Sequence, residues 1–78
     1  MEKEKYLKIA TETLSGVFSE GGARATIEVM EKVKLKTVSD VDANLMNELN
    51  DVLYKRVRIL KGDNLANQFL QSIKTACG

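Results

Sequence analysis

Between Val38 and Leu60 the apolar side chains, set out at 100° per residue, gather on one side of a helix. Val38, Val41, Leu45, Met46, Leu49, Val52, Leu53, Val57, Ile59 and Leu60 share it, and Asn44, Asn47, Glu48, Asn50, Asp51, Lys55 and Arg58 lie opposite. The apolar arc spans roughly 160°, wider than the roughly 100° stripe that one packing neighbour covers. This helix is therefore expected to touch at least two others, in its own chain or in a partner.

The same period recurs on either side. Tyr6, Leu7, Ala10, Thr13, Leu14, Val17 and Phe18 form one stripe, and Ala23, Thr26, Ile27, Val29, Met30 and Val33 a second. Leu65, Ala66, Phe69, Leu70, Ile73, Ala76 and Cys77 form the last, backed by Asn64, Asn67, Gln68, Gln71, Lys74 and Thr75. With no proline in the chain, glycine and capping residues supply the punctuation. Gly21 and Gly22 suit a chain reversal, and Gly62 suits a left-handed stop. Ser19 precedes the first reversal; Ser39 with Asp42 makes a variant capping box, and Asp63 is placed to cap the final helix. The pattern predicts an all-α fold, a small four-helix bundle made of two antiparallel helical hairpins, with helices near 2–18, 21–34, 40–60 and 64–76. Residues 1–78 read as one helical domain. The repeated helix, glycine turn, helix layout suggests duplication, but the halves share too few identities to count as a repeat.

At 78 residues, folding removes only about 60% of the chain's surface from water. A partner subunit would add to this small margin, so a homodimer or another protein partner is expected. The formal net charge is +1, and the charges balance in both halves, 7 basic to 6 acidic over 1–38 and 5 to 5 over 39–78. That balance gives no strong nucleic-acid signal. No apolar run is long enough for a membrane span, the opening Met1-Glu2-Lys3-Glu4-Lys5 is unlike a signal peptide, and Cys77 is the only cysteine. These features point to the cytoplasm, with no membrane partner.

The chemistry-bearing residues are sparse. Without histidine the commonest general base is missing, and a lone cysteine makes no metal cluster. The acids sit where helix stability explains them. The reading is of a non-enzymatic protein with no catalytic residue, metal site or cofactor. Ser19 to Thr26 offers free amides and Arg24 to an anion but lacks the ending of a P-loop, so it reads as a turn. Lys55, Arg56, Arg58 and Lys61 crowd the end of the third helix and are the candidate nucleic-acid contacts. In a helix-turn-helix register, however, Arg58 would fall at the helix contact and Gln68 and Gln71 inward, so the cluster is more simply a response to the helix dipole.

Three residues are candidate interface positions. Ile9 projects from the polar side of the first helix, and Gly16, seven residues on, lies on nearly the same line as a point of close approach. Arg56 falls within the apolar arc of the third helix, where it must either snorkel into water or meet a carboxylate across a contact. The function expected is that of a small interaction or regulatory protein presenting a helical surface as a homodimer. The alternatives are a nucleic-acid-associated regulator using the basic cluster and a helical sensor of an apolar ligand held between helices.

Overall fold

The first helix stops a turn earlier than its apolar stripe: past Leu14 the amides of Gly16 and Val17 bond three residues back, to Thr13 O and Leu14 O, a tighter turn than the α-helix. In the computed structural model, which describes residues 1–78, α1 runs Lys3–Leu14, α2 Glu20–Lys34, α3 Ala43–Lys61 and α4 Asp63–Cys77. The fold is all-α, as the periodicity implies. No helix is long and apolar enough to cross a membrane.

The reversal after α1 is made by residues 15–19, where the amides of Val17 and Phe18 both bond to Leu14 O, at 2.9 and 2.8 Å. It does not use Gly21 and Gly22 as turn residues. Both fall in the first turn of α2 with negative φ, behind Ser19, whose Oγ accepts from Gly22 N at 3.2 Å. A Cβ on Gly22 would stand 3.3 Å from that oxygen and 3.4 Å from Phe18 Cβ. Gly22 thus serves the close seating of the helix start on Phe18 rather than a left-handed turn.

The expected start of the third helix near Asp40 is also displaced. Ser39 O is taken by Lys3 N at 3.3 Å, and Val41 N donates to Met1 O at 2.7 Å, which ties residues 39–41 to the chain start as a short antiparallel bridge. Extended backbone there excludes helix. The cap falls to Asp42, whose Oδ1 accepts from Leu45 N at 2.8 Å. Val41 and Leu35 are buried in this connecting segment and close the core. Val38 and Val41 therefore continue the apolar period without being helical.

Gly62 joins α3 to α4 at φ 93°, ψ 170°, a conformation essentially confined to glycine. Asp63 is the first residue of α4 and makes no side-chain cap; its carboxylate lies 3.7 Å from Arg58 Nε. The core takes three side chains from each helix: Tyr6, Ala10 and Leu14; Ala23, Ile27 and Met30; Leu49, Leu53 and Val57; Ala66, Phe69 and Ile73. The helices pack in the order α2 on α1, α1 on α4 and α4 on α3, so α2 and α3 stand at the two ends of the series with little direct contact.

One polar group enters this core. Asn50, assigned by periodicity to the solvated face, is 3% exposed, and its Oδ1 accepts a 2.7 Å hydrogen bond from Tyr6 Oη. No buried side-chain polar atom lacks a partner. Burial, and secondarily the charge that Cys77 carries once it ionises, push the Tyr6 phenol well above its ordinary range.

Candidate functional site

α3 packs on α4 and meets α1 through the Tyr6–Asn50 hydrogen bond, yet its wide apolar arc is not covered to its end. Leu49, Leu53 and Val57 are buried and Val52 half-buried, but Ile59 and Leu60, on the same apolar side, stay 75% and 54% exposed. On α2 the flank beside Ile27 and Met30 is bare as well, with Val29 64% and Val33 71% exposed. These four face a common space. It is a groove of about 880 Å³ between α2 and α3, floored by the buried Met30 and Leu53 and lined near the start of α2 by Phe18 and Gly22. Isolated exposed aliphatic residues are ordinary; several lining one groove make it the candidate site of this chain.

The charges on the groove are of one sign. Lys34, Lys55, Arg56 and Lys61 line it, and no aspartate or glutamate does. Lys34 Nζ is 3.1 Å from Glu48 Oε1, and Lys55 Nζ is 3.0 Å from Asp51 Oδ2. Both pairs are exposed, so solvent screens them. Arg56 and Lys61 have no carboxylate within ion-pairing distance. Arg56 is exposed at the groove's edge. It neither crosses to a carboxylate nor lies buried in the arc, and it lines the groove together with Val52, Ile59 and Leu60.

The other sequence candidates do not join it. Ile9 is half-buried and packs on the core instead of projecting from a polar face. Gly16 lies beyond the end of α1, in the turn, so the helical line connecting it to Ile9 is absent. Of the four basic residues at the end of α3, Lys55, Arg56 and Lys61 line the groove, while Arg58 is outside it beside Asp63. The cluster is thus split by orientation. The turn from Ser19 to Thr26 is engaged internally: Arg24 pairs with Glu20 at 2.9 Å, Ser19 takes the Gly22 amide and Thr26 donates to Gly22 O.

Cys77 is half-buried, and burial pushes its thiol up from the ordinary range, which holds it in the less nucleophilic protonated form. No three Asp, Glu, His or Cys side chains converge on one point.

The groove was only partly visible in the sequence. The width of the α3 arc was readable as a demand for at least two neighbours, but Val29 and Val33 merged with the buried residues of α2 into one stripe. Only the packing order of the helices separates them. Comparison with known protein families, curated proteins and solved structures finds no match to this chain.

Proposed function

We propose that this chain is a small non-enzymatic interaction or regulatory protein whose working surface is the groove between α2 and α3. The observation that carries the reading is the convergence of Val29, Val33, Ile59 and Leu60, bare to solvent, on one groove. Covering them removes apolar surface from water, a gain of about 25 cal/mol for each Å². The absence of histidine and the raised thiol of Cys77 support the non-enzymatic part. A single cysteine without a disulfide supports a place in the reducing cytoplasm.

A homodimer is the second reading, favoured by the same bare residues. It meets an electrostatic obstacle, because a two-fold, groove-to-groove dimer sets the four cations of one copy against those of the other. A nucleic-acid reading gains little from the geometry, since an apolar floor offers nothing to phosphates and Arg58 faces elsewhere.

The test is site-specific photo-crosslinking in the native cell, with a photoreactive residue at Val33 or, as a control on the exposed side of α4, at Gln68. The groove reading expects a discrete adduct from Val33 and none from Gln68. An adduct at twice the chain mass selects the homodimer. Equal, diffuse labelling from both positions contradicts the groove as the working surface.

A further inference from the structure

We infer that the occupant of the α2/α3 groove is an acidic amphipathic helix of a partner protein; this rests on the groove being the working surface and names what it holds. Three observations select that occupant. With walls as exposed as Val33 and Ile59, the groove is a trough open to solvent rather than an enclosed cavity. Small-ligand sites instead bury about 70–90% of their ligand. A third helix, about 10 Å across, laid between two others suits this shape, because the uncovered end of α3's wide apolar arc faces the bare flank of α2. The α3 wall from Val52 to Lys61 extends about 14 Å at 1.5 Å per residue, which matches about three turns of the partner.

Charge then chooses the kind of helix. Of the four cations that line the groove, Lys34 and Lys55 are paired with Glu48 and Asp51, whereas Arg56 and Lys61 are free of ion pairs and leave the groove a net positive edge. A partner with apolar residues at i, i+3, i+4 and i+7 fills the walls, and glutamates or aspartates flanking that stripe reach the cations. The planar guanidinium of Arg56 offers a carboxylate two parallel hydrogen bonds. A second copy docked symmetrically is disfavoured by like charge, and a basic helix is repelled by it.

The experiment titrates the full chain with a synthetic capped helical peptide carrying leucines on one face and glutamates beside them. A second peptide has lysine at every glutamate. Binding is read by fluorescence anisotropy and by methyl resonances of Val29, Val33 and Ile59. The glutamate peptide is expected to shift those resonances and to bind about tenfold or more tightly than the lysine peptide. Arg56→Glu is expected to weaken it about tenfold, while Arg58→Met, outside the groove, leaves it unchanged. Equal affinity for the two peptides, or indifference to Arg56→Glu, overturns the inference. If oleate or raised protein concentration moves the groove methyls and the glutamate peptide does not, the acidic helix is wrong and the groove reading stands. If none of the three moves them, both fall.

Discussion

Leu53→Ala is expected to leave the chain close to its unfolding midpoint at room temperature. Leu53 is completely buried and lies beneath the groove while its helix packs on α4. Removing its branched end forfeits burial and leaves a cavity, together about 2–5 kcal/mol. A single core of this size supplies on the order of 3–5 kcal/mol in total. The two magnitudes are comparable, so the variant is expected to show a shallow, low-temperature melt by circular dichroism. Val33→Ala, on the exposed wall of the same groove, is expected to change stability by less than about 0.5 kcal/mol. Equal, small effects from both would show that Leu53 is not the close-packed floor described here.

Tyr6→Phe is expected to cost about 1–3 kcal/mol, because it strands the buried Asn50 Oδ1 without its donor. Asn50→Leu strands the phenol in the same way. The double variant removes both polar groups and is expected to be less destabilised than the sum of the two, a coupling that chemical denaturation of the four proteins measures. The pair also predicts a pH dependence. Burial holds the Tyr6 phenol protonated in the folded chain above its ordinary value, so above about pH 10 the unfolded state releases a proton that the folded state keeps. Stability therefore falls as pH rises past that point and is untouched by this group below it. Cys77, whose thiol is also raised, begins a similar loss from its own lower ordinary range. Tyr6→Phe is expected to remove the phenol's share and keep that of Cys77; identical alkaline profiles for the variant and the parent would contradict the assignment.

The contrast between these residues explains what was legible in the sequence. Leu53 belongs to a repeating stripe, and a stripe is enough to identify a helix and its inward face. Asn50 is a polar residue one position past Leu49, and nothing nearby distinguishes it from the solvated Asn47. Its partner lies 44 residues earlier in the chain. The turn at 15–19 was hidden because Val17 and Phe18 keep the apolar period although they lie beyond the end of α1. The segment before α3 was hidden for a related reason: Val38 and Val41 satisfy helical spacing, and only the pairing of residues 39–41 with the chain start excludes a helix there. For the groove, the excess width of the α3 arc was readable, but its second wall depended on α2 standing at the far end of the packing series from α3. Arg56 was legible as an anomaly in an apolar arc. That it edges a groove lined by cations, with no carboxylate of its own in reach, follows from the fold alone.

The central claim is that α2 and α3 leave an apolar groove open to water, and a soluble paramagnetic probe tests it directly. In a dilute sample with methyl groups assigned, the probe is expected to broaden Val29, Val33, Ile59 and Leu60 strongly at concentrations that spare Leu14, Leu49 and Leu53. Protection of the four groove residues equal to that of the core, in a sample shown to be monomeric, would mean that α2 and α3 close on each other and would contradict the account.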